Sequence, residues 1–359
     1  MDGLDISDNR TGAGEAHSPI LKFEAPPSTH TGRIRYLDGW RGCSILLVLA
    51  GHSFRSEPIA YLGVQMFFAL SGRLMADILF VERFPLTTFY QRRISRIYPG
   101  LLAFVLLAYF LVRGTAISFK PLAAALGLTF LLNYGIAFGH GVPAIENLWS
   151  LCIEEHSYLL LGALAFLLRS TTATRPAPIL FAIALLSIVD GLYCAFFLHQ
   201  TGPALYWRTD TQLAPIFLAA AAYLLLRARQ VSNWVAPICF CGATSAQFFA
   251  PLLGYSAGTM LLALAVASID EAPRPLLKVL SWAPLVMFGM WSYSIYLWQQ
   301  PFYRFSFLHE SNRWPALLLG IGAGLASFYF IEQPARHWLN NNWRTMGGRR
   351  IEHPESVSG

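Results

Sequence analysis

The sequence predicts an all-α protein, a polytopic transmembrane bundle of about ten or eleven helices. Of its 359 residues, 55% are hydrophobic and only 13% are charged, and the mean hydropathy is +0.46. Such values are not those of a water-soluble domain. Apolar runs long enough to cross a bilayer recur between residues 36 and 333. Because lipid offers no hydrogen bonds to the backbone, these runs are expected to be helices.

The parts of the chain outside this region have a different composition. Residues 1–32 mix acidic residues, Gly, Ser and Pro without an apolar core, which predicts a disordered cytoplasmic tail and no cleavable signal peptide. Residues 33–339 are expected to form one membrane domain, and residues 340–359 a short polar tail. The five cysteines have no CxxC spacing, so neither a disulfide framework nor a metal site is expected. Nothing suggests nucleic-acid binding, and the oligomeric state stays open.

The first predicted span, residues 36–55, contains two ionisable side chains that matter most for function. Arg41 and His52 are eleven residues apart. That spacing places them within roughly 20° of the same helix face, about 16 Å apart along the axis. Ionisable groups inside a bilayer usually face a partner or a water-filled cavity, which indicates a functional site. The alternative is an interfacial Arg and a His that only packs between helices.

The second predicted span, residues 59–81, carries a charged pair near its end. Arg73 and Asp77 are four residues apart and therefore lie on one helix face. Each is the expected ion-pair partner of the other. We interpret this pair as structural, because a charged group within lipid needs compensation.

The most charged stretch, residues 82–99, contains Arg92, Arg93 and Arg96. Arginine clusters beside short loops are retained on the cytoplasmic side, which predicts a cytoplasmic N-terminus. On a helix the three guanidinium groups would crowd one surface, and their repulsion favours a bound anion. Arginine forks suit phosphate oxygens. A simple topology anchor explains the same cluster.

Further spans are predicted at residues 101–112, 122–138 and 148–168, with a polar break at 139–147. In the last of these spans Ser150, Glu154 and Tyr158 recur every four residues and share a face. Glu154 could orient a catalytic imidazole or take part in proton transfer. Acidic residues at a helix N-terminus are also favoured by the helix dipole alone.

The later part of the chain combines scaffold with one more polar face. Four apolar segments, at residues 179–198, 213–226, 235–249 and 255–269, are interpreted as scaffold and cavity wall, with Asp190 and residues 207–210 as polar exceptions. Beyond them, Ser292, Tyr296 and Gln299 lie on one helix face. They predict either a packed polar seam or the lining of a cavity. A last span is predicted at residues 315–330.

Six blocks in this order resemble the acyltransferase 3 family of integral-membrane acyltransferases, over about residues 33–338. They are RYLDGWRG at 35–42 with His52; Gly63-Val64, Phe67-Phe68 and Ser71-Gly72; RRISRIYP at 92–99; Trp149-Ser150-Leu151 with Glu154 and Tyr158; SYSIYL at 292–297 with Pro301; and Glu332 with Pro334 and Arg336. The chain departs from the family where Gln299, Gln65 and Arg73 stand in place of a frequent His, acid and Phe.

The resemblance implies transfer of an acyl group, commonly acetyl from acetyl-CoA, to a saccharide hydroxyl of a surface polysaccharide, lipopolysaccharide or glycolipid. Acyl-CoA would be a co-substrate, with no bound cofactor and no metal, in a multi-pass protein of the inner membrane. The resemblance also implies that Arg41 and His52 form the essential pair and that Arg92, Arg93 and Arg96 lie near the donor. Asp38, Tyr158, Ser292, Tyr296 and Gln299 are expected to support the site.

These expectations give a mechanism in which His52 is the general base, since a near-neutral pKa suits proton transfer. Transient acylation of His52 is a variant. Arg41 would stabilise negative charge or hold the donor, and Glu154 would orient the base. The alternative function is a proton-coupled transporter or flippase of a glycan or lipid-linked intermediate. A carrier has no need of a CoA-phosphate site, so the arginine cluster favours the enzyme.

Overall fold

The computed structural model describes residues 34–139, 141–169, 175–308 and 313–346, and these residues form helices without any strand. The first half comprises α1 (Arg35–Ser53), α2 (Glu57–Ala76), α3 (Leu86–Leu111), α4 (Pro121–Leu128), α5 (Leu132–Ala137), α6 (Leu148–Leu168), α7 (Pro176–Phe196), α8 (Pro203–Tyr206) and α9 (Thr209–Gln212). The second half comprises α10 (Ala214–Leu226), α11 (Val235–Phe249), α12 (Pro251–Leu253), α13 (Thr259–Ala267), α14 (Arg274–Leu280), α15 (Ala283–Leu308), α16 (Arg313–Ser327) and α17 (Gln333–Met346).

Six helical stretches of the described residues are long and apolar enough to cross a membrane. They are Glu57–Val81, Leu86–Leu111, Leu148–Leu168, Pro176–Phe196, Thr209–Leu226 and Arg313–Trp343. Two shorter apolar stretches are Val235–Phe249 and Pro251–Ala267. The prediction of an all-α membrane protein is therefore confirmed. The total of ten or eleven spans stays a prediction.

Two of the predicted spans are divided differently in the structure. The charged stretch at 82–99 and the span at 101–112 are mostly one helix, α3, which continues through Pro99. A proline inside a helix is tolerated in a membrane bundle because neighbouring groups satisfy the backbone that it frees. The span predicted at 122–138 is instead split into α4 and α5. Phe130 between them has a φ of 59°, a left-handed conformation that ends the first helix.

Helix α1 is packed closely between two neighbouring helices, because glycines let the backbones approach one another. It packs against both α2 and α15. A Cβ atom on Gly289 of α15 would lie 1.9 Å from the carbonyl oxygen of Asp38, and one on Gly63 of α2 would lie 2.6 Å from that of Ser44. Only glycine permits backbones to come this close. Helices α1 and α15 run in the same direction, so each end of α1 lies beside a part of α15.

The predicted ion pair between Arg73 and Asp77 is wrong. The Arg73 side chain, only 4% exposed, pairs with Asp270, with both carboxylate oxygens at 2.7 Å from Nη2. Asp77 instead accepts a hydrogen bond from Tyr223, at 2.8 Å. Tyr36 also donates to Asp270, at 2.6 Å. Residue 270 is remote in sequence, so local helix spacing could not reveal this partner.

The predicted boundary near residue 339 falls inside α17, which continues to Met346. The expected tail at 1–32 and the final residues, 347–359, lie outside the described residues. The helix α17 packs against α3 and places Asn340 within hydrogen-bonding distance of Ser95, at 2.9 Å. It therefore packs beside the part of α3 that carries the arginines.

Candidate active site

Two cavities lie along the α1–α15 pair, one toward each end. The first, the arginine cavity, has a volume of about 110 Å³. Its polar lining comprises Arg41, Ser71, Arg93, Arg96, Ser150, Glu154, Tyr158, Ser292, Tyr293 and Tyr296. The second, the histidine cavity, has a volume of about 550 Å³. It is lined by Leu49, His52, Ser53, Arg55, Gln299, Tyr303, Ser306, Phe307, Arg313, Trp314, Ala316 and Leu317. Arg41 and His52 therefore belong to different cavities.

His52 is held by Gln299, one of the residues that were expected to support the site. Its Nδ1 atom lies 2.7 Å from Oε1 of Gln299. The amide nitrogen of Gln299 donates to the carbonyl oxygen of Tyr296, at 3.4 Å, which orients the amide oxygen toward the imidazole. Since an amide oxygen only accepts, Nδ1 is the donor in this contact, and in the neutral imidazole Nε2 then keeps its lone pair. This tautomer leaves Nε2 able to accept a proton.

Tyr303 fixes the plane of the imidazole ring by stacking on it. The rings of His52 and Tyr303 are stacked, with centroids 4.3 Å apart and planes 9° apart. Tyr303 follows Gln299 by one helical turn, so the spacing of polar residues along α15 could have indicated it. The next residue, Arg304, pairs with Glu146 in the loop before α6. Burial raises the pKa of the Glu146 carboxyl, against the opposing effect of Arg304.

The arginine cavity contains two guanidinium groups that lack a close carboxylate. Arg41 lies 3.4 Å from Asp38, a long contact for an ion pair. Arg96 has no salt bridge to a described carboxylate. Its charged neighbours are the arginines Arg41, Arg93 and Arg336 and, less closely, the carboxylates of Glu155 and Glu332. Repulsion among these cations is relieved when an anion lies between them. The cavity is therefore suited to a negatively charged ligand.

Arg93 differs from its neighbours because protein groups already occupy its guanidinium. Nη2 and Nε lie 2.7 and 3.0 Å from Oε1 of Glu155, and Nη2 lies 3.8 Å from Glu154. The guanidinium also lies over the Tyr158 ring, with the carbon 3.3 Å from the centroid. Arg93 therefore organises the acidic wall of the cavity and has little capacity left for another anion.

Glu154 does not contact His52, so the expectation that it orients the imidazole is wrong. It accepts hydrogen bonds from Ser71, at 2.6 Å, and from Tyr158. All of these groups lie in the arginine cavity. Sequence spacing placed Glu154 and Tyr158 on one face of α6 correctly, but the direction of that face depends on helix packing. Gln299 has the place beside His52 that we expected for Glu154.

The remaining predicted residues lie on α15 and α3. Tyr296 lies 2.6 Å from Ser150, hydroxyl to hydroxyl, and donates to the carbonyl oxygen of Asn147, at 3.0 Å. Ser292 donates to the carbonyl oxygen of Gly289, at 2.9 Å. Arg92 lies outside the arginine cavity and over the Phe84 ring, at 4.7 Å. The structure thus brings Arg93 and Arg96 to the cavity and leaves Arg92 apart.

Several polar groups outside the cavities have structural partners. Arg208 pairs with Asp210 and lies 3.9 Å from Asp190. Nδ1 of His156 lies 2.7 Å from the hydroxyl of Thr209. These contacts join α6, α7 and α9 away from both cavities. They explain the polar exceptions in the scaffold region without assigning them a chemical role.

Comparison with known proteins identifies the family of this chain. It is 27% identical to the peptidoglycan O-acetyltransferase OatA of Listeria monocytogenes, over 84% of this chain and 55% of that protein. It is 26% identical to the O-acetyltransferase OatA of Staphylococcus aureus, over 84% of this chain and 57% of that protein. The chain thus spans little more than half the length of these relatives. No solved structure matches. The acyltransferase domain model matches residues 34–333, and the chain belongs to this family of membrane acyltransferases.

Proposed function

We propose that this chain is an O-acetyltransferase that moves an acetyl group from acetyl-CoA to a hydroxyl of a cell-envelope glycan. The observation that carries the proposal is the arrangement of His52. Its Nδ1 is bound to Gln299, its ring is stacked on Tyr303, and it lines the larger cavity. A fixed imidazole with an unprotonated Nε2 suits a general base. The family and the relatives support acetyl transfer to a glycan.

In the proposed reaction the acceptor hydroxyl lies in the histidine cavity and loses its proton to Nε2 of His52. The hydroxyl oxygen forms a bond to the thioester carbonyl carbon. The carbon–sulfur bond then breaks, and the CoA thiolate takes up the proton that His52 holds. No group is left on the enzyme, and no oxidant or metal is required by this balance. Transient acetylation of His52 would give the same products.

The donor's phosphates are proposed to bind in or at the mouth of the arginine cavity. Arg96 has no ion pair with a described carboxylate and Arg41 has only the long contact with Asp38, whereas Glu155 occupies Arg93. The donor's acyl arm would extend along α1 and α15 toward His52. The two cavities are separated on α15 by a single helical turn, between Tyr296 and Gln299. The proposal therefore requires a passage between the two cavities, through which the thin, flexible arm of the donor would extend.

The orientation of the helices follows from the same charges. Arg35 bonds to Ser281 at the start of α1, and Arg169 bonds to the carbonyl oxygens of residues 83 and 84 at the start of α3. Together with Arg92, Arg93 and Arg96 they place many arginines at this end of the bundle. The positive-inside bias makes this end cytoplasmic. Acetyl-CoA would then enter from the cytoplasm, and the histidine cavity would open toward the opposite face.

We propose ten crossings in total. The six long stretches are joined by α1, by α15 and by the two shorter apolar stretches at Val235–Phe249 and Pro251–Ala267. With 26 residues, α15 is about 39 Å long, which exceeds the thickness of the hydrocarbon core. Ten alternating crossings return the chain to the arginine end. The short helices α4 and α5 would lie at the opposite end.

The test uses the protein in proteoliposomes with radiolabelled acetyl-CoA and glycan fragments from the cell envelope. Ester-linked acetate, released by mild base, measures transfer. The His52→Ala variant should lose activity by about 100-fold or more, because a general base contributes on the order of 10² to 10⁴. The control is Arg113→Gln, an exposed arginine outside both cavities. Activity of His52→Ala near that of the control would remove His52 from the mechanism.

A further inference from the structure

The wall of the histidine cavity is cationic. Two guanidinium groups, those of Arg55 and Arg313, line it together with His52. No carboxylate belongs to this lining within the ranges that the structure describes. The other lining groups are hydroxyls, one amide and apolar or aromatic side chains. A cavity that held only a neutral sugar would need hydrogen-bonding groups but no excess of positive charge.

Neither arginine is neutralised by a described acid. Arg55 lies over the Phe307 ring, at 4.9 Å. Arg313 donates to the carbonyl oxygen of Ser53, at 3.0 Å, and lies 5.2 Å from the centre of the Phe54 ring. Other arginines of the protein, such as Arg73 and Arg208, are paired with carboxylates. Stacking on rings leaves the edge of a guanidinium available to an anion.

Both arginines are held near the end of α1 that carries His52, Arg55 by the chain itself and Arg313 by a hydrogen bond. Ser53, which accepts the hydrogen bond from Arg313, is the residue after His52. Arg55 follows His52 by three residues and has a φ of 56°. A left-handed backbone favours glycine, so an arginine at this position adopts a conformation that is unfavourable for its side-chain type. Packing of the side chain does not explain why this residue is an arginine, since Arg55 is exposed. A function for the charge explains why an arginine stands there.

We propose that the histidine cavity selects a saccharide acceptor that carries an anionic group, a carboxylate or a phosphate. Arg55 and Arg313 bind that group, and the hydroxyl to be acylated then lies at His52. This inference rests on the proposed function and deepens it by naming the acceptor class. Arginine forks bind both carboxylate and phosphate oxygens in pairs, so the anion is defined by charge and shape. With a neutral acceptor, neither guanidinium group would have a counter-ion among the described residues.

The first experiment measures binding and does not depend on catalysis. The protein is reconstituted in nanodiscs of neutral phosphatidylcholine, and binding is measured by calorimetry. The probes are methyl glucuronide, its uncharged amide, methyl glucoside and methyl glucoside 6-phosphate. We expect at least one anionic probe to bind tenfold or more tightly than the two neutral probes, and to weaken as salt rises. The tighter anionic probe identifies the preferred anion. Equal binding of all four probes overturns the proposal.

Three variants locate the binding to the cavity. Arg55→Gly removes one charge and suits the left-handed backbone, so this variant should fold at least as well as the parent. Arg313→Gln removes the other charge. Each should reduce anionic-probe affinity by tenfold or more, with neutral probes unaffected, whereas Arg113→Gln should change nothing. Unchanged anionic affinity in both cavity variants overturns the assignment.

Two further measurements separate this inference from its alternatives. In nanodiscs containing phosphatidylglycerol, probe affinity should be unchanged. A large loss there would mean that a lipid headgroup occupies the cavity, which overturns the proposal of a saccharide. Acetyl transfer to a carboxylate-bearing glycan and to its amidated form is then compared. Failure of transfer to both refutes the proposed function, whereas equal transfer to both refutes only the selection of an anion.

Discussion

The Nδ1 atom of His52 lies 2.7 Å from Oε1 of Gln299, although the two residues are 247 positions apart in the chain. This contact joins the C-terminal end of α1 to α15. It fixes the imidazole in the tautomer whose Nε2 can accept a proton. A neutral amide here can hold the ring but cannot exchange a proton with it near neutral pH. The proposed mechanism therefore uses one histidine, His52.

The role of Gln299 can be tested by exchanging its hydrogen-bonding groups. Gln299→Leu removes the acceptor of the Nδ1 proton and should lower kcat by roughly 10- to 100-fold, because a buried group left unpaired costs about 1–3 kcal/mol. Gln299→His retains a ring nitrogen that can accept and should be tolerated far better. The kcat of acetyl transfer is measured for both variants and compared. Equal losses would show that Gln299 only fills space.

The donor site can be tested with substitutions that keep the charge. Arg96→Lys keeps the positive charge of the cavity but loses the planar fork, so KM for acetyl-CoA should rise by about tenfold. Arg92→Lys should have little effect, because Arg92 lies over Phe84 outside the cavity. Protease accessibility would verify that both variants insert normally. If neither changes the donor's KM, the cluster is a topology anchor, which Lys serves as well as Arg.

The corrected ion pair gives a stability prediction. Asp270→Asn leaves the guanidinium of Arg73, which is only 4% exposed, without its charged partner. Breaking a buried pair in this way costs about 3–5 kcal/mol, and the exposed position of Asp270 places the expected cost at the lower end. Asp77→Asn should cost about 1 kcal/mol or less, since it only weakens one hydrogen bond from Tyr223. Thermal unfolding in detergent compares the two. A larger effect for Asp77→Asn would contradict the observed pairing.

The approach of α15 to α1 gives a matched pair of glycine substitutions. Gly289→Ala would place a Cβ atom 1.9 Å from the carbonyl oxygen of Asp38, so the two helices must separate. Both stability and activity should fall, because His52 and Gln299 lie on these helices. Gly322→Ala, on α16, meets nothing within 4 Å and should stabilise by a few tenths to about 1 kcal/mol. Thermal unfolding and acetyl transfer are measured for both. Wild-type behaviour of Gly289→Ala would contradict the close packing.

The class of the protein could be predicted from the sequence because hydropathy is a local property. Long apolar runs determine that the chain is helical and lies in a membrane, whatever the arrangement of the helices. Helical spacing also placed Ser292, Tyr296 and Gln299 on one face correctly. Local rules were less reliable where backbone breaks depend on single residues. Phe130, with its left-handed backbone, divides an apolar run that looks continuous in sequence.

The partners of the polar residues were decided only by the tertiary structure. Arg41 and His52 share a helix face, yet they line different cavities because a helix about 16 Å long between them passes from one cavity to the other. The three clustered arginines differ in availability, since Glu155 occupies Arg93 and Arg92 lies over Phe84. Arg73 pairs with Asp270 and not with the nearby Asp77. Spacing along one helix determines which side chains share a face, whereas the packing of other helices determines what that face meets.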